Sequence, residues 1–343
     1  VLFMDQSKFV TKMKLFFASL INKFYENGGF KSKRNLLFIL CSFWAYYVFL
    51  RERGALPFKK SLSGKHVYLT GAGSGLGRHM ALKLAKMGAK LTLSDINEQG
   101  LLETESLIKK EVTSHTPQVA CTKLDVSHRE DIKRSAEFAR SKFGDVDVII
   151  NNAGIVQGRR LMDCSEDLMS KVLVVNMESH LWIIREFLPA MIRKNSGSIV
   201  SIASMAGIGG QPFMTDYSAS KAGAIGMMDA LRLELKRENH NVRCTTICPF
   251  YINTGMFDGV DTGSLYGFLD QDRVVDRIIS SIRQEEEVVC LPWSMGPICF
   301  LTKGIFGTGI ADYMVKLVIG WDTMANFRGR QDKNAIFQAK GKQ

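Results

Sequence analysis

Tyr217 and Lys221 stand four residues apart at the start of a helical stretch, so they share one helix face. A phenol titrates near 10, too high for a general base at neutral pH. A lysine ammonium one turn away favours the phenolate, and the spacing therefore predicts a tyrosine whose pKa is lowered by Lys221. Ser204 lies thirteen residues upstream, at the end of a strand-like run, where its hydroxyl can hydrogen-bond a substrate oxygen. Asn176, inside a long helix, is expected to hold a water that links Lys221 to solvent. Each residue alone is ordinary. Together they suit proton transfer to or from a substrate oxygen.

A second group of residues suits a dinucleotide. Gly71-Ala72-Gly73-Ser74-Gly75-Leu76-Gly77 follows a short strand and opens a helix. A pyrophosphate needs backbone N–H groups at a helix N-terminus and no Cβ blocking its approach, which is what this spacing supplies. Asp95 ends the second strand, 24 residues after Gly71. A carboxylate there accepts the adenosine-ribose hydroxyls and repels a 2′-phosphate. Neither Ser74 nor Ile96 brings a positive charge, so NAD is expected over NADP.

The elements that must position these groups alternate. Strands are predicted over 66–70, 89–94, 119–124, 146–151, 198–202, 242–247 and 288–291. Helices are predicted over 76–87, 98–111, 173–194, 217–237 and 272–284, and from a Ser127 cap to Phe143 with Glu130 completing a capping box. Strands separated by helices throughout imply a doubly wound α/β fold, its parallel sheet covered on both faces, with ligands at the strand–helix junctions.

The motifs occur as an ordered set: Thr70-Gly71-x-x-x-Gly75-x-Gly77, Asp125-Val126, Asn151-Asn152-Ala153-Gly154, Asn176, Ser204, Tyr217-x-x-x-Lys221, and Cys248-Pro249 through Thr254. In this order and spacing the chain resembles the classical short-chain dehydrogenases/reductases over about residues 63–291. The resemblance implies a Rossmann-like fold with a seven-stranded parallel sheet and reversible hydride transfer at C4 of a nicotinamide. It implies that Tyr217 is the acid/base and that Lys221 binds the nicotinamide ribose. It also implies that Ser204 orients the reacting oxygen and that Asn176 completes the proton relay. Gly71, Ser74, Gly75, Leu76 and Gly77 would hold the pyrophosphate, and Asp95 and Ile96 the adenosine. Asp125 and Val126 would flank the adenine, and Asn152, Ala153 and Gly154 would pass beneath the ribose. Pro249, Ile252 and Thr254 would border the nicotinamide. One departure is Phe250, where the family often has glycine after the proline. A narrower likeness rests on Ser94-Asp95-Ile96-Asn97, Asp216 through Lys221, Asn253 through Phe257 and Met324-x-x-Phe327-x-Gly329-Arg330. These resemble the membrane-associated branch of retinol and 17β-hydroxysteroid dehydrogenases. That branch implies a lipophilic alcohol, ketone or aldehyde as substrate, at an endoplasmic reticulum or lipid-droplet surface.

Charge supports a membrane address independently. The 343 residues carry 45 Lys+Arg and 34 Asp+Glu, net +11. Residues 1–65 hold twelve bases against three acids and residues 323–343 five against one, which leaves the 257 residues between at −2. The basic N-terminus flanks the apolar run Leu36–Leu50 and follows an amphipathic stretch, Phe9–Tyr25, both expected to contact a membrane. As a helix, fifteen residues reach about 22 Å, short of a hydrocarbon core of about 30 Å. Pro292–Phe306 is a second apolar stretch, expected to line a lipid-facing entrance or to pack internally. The chain begins at Val1, which leaves a removed leader and a mitochondrial membrane open. Apolar residues at 46% and charged residues at 23% exclude a disordered chain. Seven cysteines without paired spacing exclude a disulfide scaffold, and Cys244 and Cys248 are expected as buried thiols. The six histidines show no metal spacing, and His66 and His79 are expected to be structural. Basic residues bordering apolar sequence, without a base-stacking module, argue against nucleic acid.

Three parts are therefore expected: a membrane-anchoring segment over 1–60, an NAD-binding dehydrogenase domain over 61–292, and an apolar extension with a basic tail over 293–343. The function expected is a membrane-associated, NAD-dependent oxidoreductase, with a homodimer or membrane-complex partner left open. The alternative is an accessory subunit of a membrane complex that keeps the fold and a bound nucleotide.

Overall fold

The computed structural model describes residues 59–262, 267–305 and 307–329, together with Ser19. The polypeptide divides between Pro57 and Phe58, and the sheet and its helices all belong to the second unit. Phe9–Tyr25 and Leu36–Leu50 lie outside the described residues. Among the described residues no helix is long and apolar enough to cross a membrane.

Seven parallel strands form one sheet in the order β3-β2-β1-β4-β5-β6-β7. They are β1 (His66–Thr70), β2 (Lys90–Asp95), β3 (Gln118–Lys123), β4 (Val148–Asn151), β5 (Gly197–Ile202), β6 (Val242–Pro249) and β7 (Val288–Leu291). All five residues of β1 and all four of β4 are buried. Strands buried on both faces must be covered by helices on both sides, because no face is left to water. One face carries α1 (Gly75–Lys86), α2 (Glu98–Glu111) and α7 (Gln271–Gln284), packed on Val67, Leu69, Leu91, Ile150 and Val200. On α7, Val274, Val275, Ile278, Ile279 and Ile282 fall on the inward side, each worth about 1.5–3 kcal/mol of gross burial. The opposite face carries α3 (Arg129–Phe143), α5 (Ser179–Lys194) and α6 (Thr215–Arg237), packed on Tyr68, Ile149, Ile199 and Cys244.

Two local expectations are corrected. Ser127 does not cap α3, because its hydroxyl and amide both donate to Asp125 Oδ1, at 2.6 and 2.9 Å. The helix starts two residues later, from His128 as its N-terminal boundary, and Glu130 pairs with Lys133 at 2.8 Å. The helix predicted over 173–194 is interrupted: α4 (Glu166–Leu173) runs through a π-helical turn, Val174–Glu178, before α5 begins. That turn carries Asn176, and single π turns inside helices are frequent at functional sites.

His66 and His79 are structural, as expected. The buried His66 ring bridges Gly144 O (3.0 Å) and Thr92 Oγ1 (2.9 Å), and burial lowers its pKa. His79 pairs with Asp272 at 3.0 Å. Cys244 and Cys248 are buried free thiols. After β7 come α8 (Met295–Phe300), a π turn over Leu301–Ile305, and α9 (Thr308–Val318). Met295 is buried while Trp293, Leu301 and Ile305 are exposed, so Pro292–Phe306 divides between core and surface.

Candidate active site

The strand order reverses between β1 and β4, and ligands bind parallel sheets at such a switch point. The glycine loop leaves β1 there. Gly77 packs directly on the Gly71 carbonyl, and a Cβ at 77 would overlap it. Asn152 clamps the same loop from β4: its side-chain amide donates to Thr70 O (2.9 Å) and Gly71 O (3.1 Å). The Asn152 and Ala153 amides both donate to the Thr70 hydroxyl, at 3.0 and 3.1 Å. Two residues that motif spacing did not single out brace the outer side. The Arg78 guanidinium donates to Gly73 O (2.5 Å), Gly100 O (3.2 Å) and Glu103 (2.8 Å), and the Thr104 hydroxyl sits 2.9 Å from Ala72 O. Their signal was the polar character of positions facing the loop from α1 and α2.

Asp95 Oδ2 accepts the Gly73 amide at 2.8 Å and Oδ1 the Asn97 amide at 2.9 Å. The carboxylate is therefore fixed against the loop, each oxygen keeping a lone pair for a ribose hydroxyl. Ile96 beside it is exposed. The Leu124 amide bonds Asp95 O at 2.9 Å, which brings Asp125 and Val126 to the same edge. Burial raises the Asp125 pKa, but hydrogen bonds from Ser127 outweigh it and the net shift is downward. The N-terminus of α1 has no acidic residue in its first turn, so its partial positive charge faces the loop unopposed. Glycines packed against backbone, open helix amides and an anchored carboxylate fit a dinucleotide.

The residues expected to handle the proton converge at the ends of β5 and β6. Ser204 follows β5 and its hydroxyl lies 3.4 Å from Pro249 O at the end of β6. Ser204 lies close enough to Tyr217 for its hydroxyl to oppose the rise of the phenol's pKa. Tyr217 is 5% exposed and Lys221 3%. The Lys221 ammonium donates to Ile202 O at 2.7 Å and lies 5.6 Å from the centre of the Tyr217 ring. Gly154 borders the same ammonium, which lies 3.6 Å from where its Cβ would stand. Asn176 Oδ1 accepts the Ile155 amide (2.8 Å), and Nδ2 donates to Ile155 O (2.9 Å) and Ser220 Oγ (3.0 Å). The side chain thus pins the loop after β4 to α6.

The expected effect of Lys221 on Tyr217 is corrected as well. Burial pushes the phenol up to about 12, against the opposing Ser204 hydrogen bond. Burial also brings the Lys221 amine down to about 8. Helical spacing places the two side chains on one face, and desolvation of that face dominates both shifts. Between pH 8 and 10.5 the unfolded chain binds the Lys221 proton more tightly than the folded one, so this group's contribution to stability rises with pH across that window. Below it the full cost remains, on the order of 3 kcal/mol. Lys221→Met is therefore expected to raise the melting temperature at pH 7 while stopping turnover, and to lose that advantage near pH 10. Thermal denaturation at the two pH values tests the sign.

An apolar wall completes the site. Tyr217, Met205, Met214, Phe250, Tyr251 and Val260 share one buried cluster with Met295, Ile319 and Met324 of the C-terminal extension. Phe250, the departure from glycine, packs edge-on to Tyr251 at 4.8 Å. Tyr251 donates to Gln211 Oε1 at 2.6 Å. A cleft of about 330 Å³ opens beside them, lined by Gln211, Pro212, Thr215, Asp312, Val315 and Trp321 among others. Ile252 is buried against the first face, in an isolated bridge to Leu269, and Thr254 follows it. Their backbone continues the edge that Pro249 begins.

A family model for short chain dehydrogenase matches residues 65–264. The chain belongs to the short-chain dehydrogenase/reductase family. The chain is 41% identical over 263 residues to epidermal retinol dehydrogenase 2 of Mus musculus, covering 75% of this chain and 84% of that one. It is 33% identical to retinol dehydrogenase 10 of Homo sapiens, covering 75% and 83%. Estradiol 17-beta-dehydrogenase 11 of Pongo abelii is 34% identical, covering 85% and 95%. A solved short chain dehydrogenase/reductase from Burkholderia phymatum, in complex with NAD, superposes with a TM-score of 0.64 at 26% identity, covering 71% and 94%. This short-chain dehydrogenase/reductase is accordingly an oxidoreductase of the alcohol group that uses a nicotinamide cofactor, in the branch the motifs indicated.

Proposed function

We propose that this dehydrogenase transfers hydride between NAD and a lipophilic alcohol, of the retinoid or steroid kind, at a membrane or lipid-droplet surface. The observation that carries the reading is the convergence of Ser204, Tyr217 and Lys221 beside a wall of buried apolar side chains. The cofactor supplies the hydride acceptor when bound. Ser204 holds the substrate oxygen, Tyr217 takes or returns its proton, and Lys221 holds the ribose and a positive charge beside the phenol. Asn176 positions the loop after β4 rather than touching substrate. Residues 1–60 anchor the chain at the surface, residues 61–292 perform the reaction, and Pro292–Phe306, at the start of the extension over 293–343, lines the lipid-facing entrance. The named substrates of the retinol and estradiol relatives support the substrate class.

Purified protein with NAD and either all-trans-retinol or a 17β-hydroxysteroid should form NADH, with activity enriched on phospholipid vesicles. No turnover across a broad panel of apolar alcohols and ketones, combined with co-purification in a large complex, would support an accessory subunit instead.

The cofactor preference has its own test. Asp95 faces the adenosine ribose in this reading, and a 2′-phosphate would meet its charge. Asp95→Ala is expected to reduce the ratio of kcat/KM for NAD over NADP by about tenfold or more, the scale of one lost polar discrimination. An unchanged ratio would remove Asp95 from the role.

A further inference from the structure

Beyond α9 the chain returns across the apolar wall and binds the loop that follows β6. The Asp261 amide donates to Thr323 O at 3.0 Å, and the Arg328 and Gly329 amides donate to Asp258 O at 2.8 and 3.2 Å. The Arg328 guanidinium adds an ion pair to Asp258 at 3.4 Å. A Cβ at Gly259 would strike the Asn326 carbonyl, so the two segments touch backbone to backbone. Met324, 1% exposed, enters the cluster that contains Tyr217 and Val260. Phe327 packs on the same cluster, as do Val156 and Phe257. Its ring covers Gly158, whose φ of +68° and missing Cβ are what the contact requires.

Phe327 therefore connects two loops: residues 155–158 after β4, held by Asn176, and residues 258–261 after β6, held by the returning chain. We propose that Phe327 is a specificity-determining residue, whose ring fixes the separation of these two loops and so the width of the opening between them, at the apolar wall that carries Tyr217, for an elongated apolar alcohol. The proposal rests on the dehydrogenase reading of the site. Its physical basis is that a rigid aromatic wedge, fastened by main-chain bonds on one side and seated on bare backbone on the other, leaves neither loop free to shift. No residue of the glycine loop belongs to the cluster on which Phe327 packs, so cofactor affinity is expected to be independent of it.

The test compares Phe327→Ala, Phe327→Leu, Gly158→Ala and the double variant Gly158→Ala/Phe327→Ala. For Phe327→Ala the ratio of kcat/KM for all-trans-retinol over cyclohexanol should fall about tenfold through KM, the scale of lost apolar fit. NADH affinity, measured by fluorescence titration, should stay as in the parent. Gly158→Ala should show a similar loss by displacing the ring. The double variant should be no worse than Phe327→Ala alone, because the added methyl no longer meets a ring. Amide exchange at Asp261 and Arg328 should quicken in Phe327→Ala, a readout independent of turnover. If Phe327→Ala does not fold, Phe327→Leu should give an intermediate KM. Equal losses for both alcohols, weakened NADH binding, additive Gly158 and Phe327 effects, or unchanged KM and exchange would each overturn the proposal. A parent protein that oxidises no apolar alcohol would defeat the dehydrogenase reading instead, while the exchange rates would still report on the fastening.

Discussion

Tyr217→Phe is expected to lower kcat by about a thousandfold, within the range for removing a positioned acid/base, and to leave NADH binding intact. The substitution removes one oxygen and keeps the ring, which packs edge-on to Phe257 at 6.2 Å. Ser204 retains the Pro249 carbonyl as a partner, so the fold should tolerate the change. With burial holding the phenol near 12 and the neighbouring amine near 8, the free site at neutral pH presents an acid beside an ammonium. That state is ready to protonate a carbonyl oxygen. Alcohol oxidation needs the phenolate, which the Lys221 ammonium and the cationic ring of an oxidised nicotinamide both favour. The oxidative rate should therefore climb with pH more steeply than the reductive one. Single-turnover measurements in both directions, alongside an NADH titration, check the assignment. A Tyr217→Phe enzyme that keeps a tenth or more of parental turnover would transfer the proton role to another group.

Gly77→Ala should weaken cofactor binding by about a hundredfold, the scale associated with roughly 1 Å of misplacement in a positioned site. A methyl at this position meets the Gly71 carbonyl and the Asn152 amide together. Neither can retreat easily: Asn152 is bound to Thr70 O and Gly71 O, and Arg78 grips Gly73 from the other side. The loop must open, and overpacking of this kind also costs about 1–3 kcal/mol of stability. Calorimetric titration with NADH and a denaturant curve separate the two effects. Binding lost without any fall in stability would mean that the loop yields freely, in contradiction of its bracing by Asn152 and Arg78.

Much of this molecule is legible in its residues. Strand and helix positions follow from apolar periodicity and glycine boundaries, and they hold within a few residues across the sheet. The glycine loop, Asp95, Ser204, Tyr217 and Lys221 can be placed because each sits at a strand end or on a helix face that spacing alone defines. The π turn at Asn176 is not legible, since the composition of Val174–Glu178 is that of an ordinary helix. Helical placement does not reveal that the Asn176 side chain bonds the backbone of Ile155. Residue type suggests a helix cap for Ser127, yet Asp125, only two residues away, captures its hydroxyl first. For such side chains several partners are chemically adequate, and only folding decides which comes within reach.

The sequence by itself determined that this is a doubly wound α/β dehydrogenase, and it singled out the residues that we propose handle the proton and cradle the dinucleotide. Periodicity and fixed motif spacing are local properties, and they survive without coordinates. Tertiary structure alone decided the protonation balance, because the desolvation that raises Tyr217 and lowers Lys221 depends on everything packed around them. It alone brought residues 323–329 back onto residues 258–261 and set Phe327 on Gly158. Those partners are far apart in the chain, and no periodicity records which distant segments will share a wall.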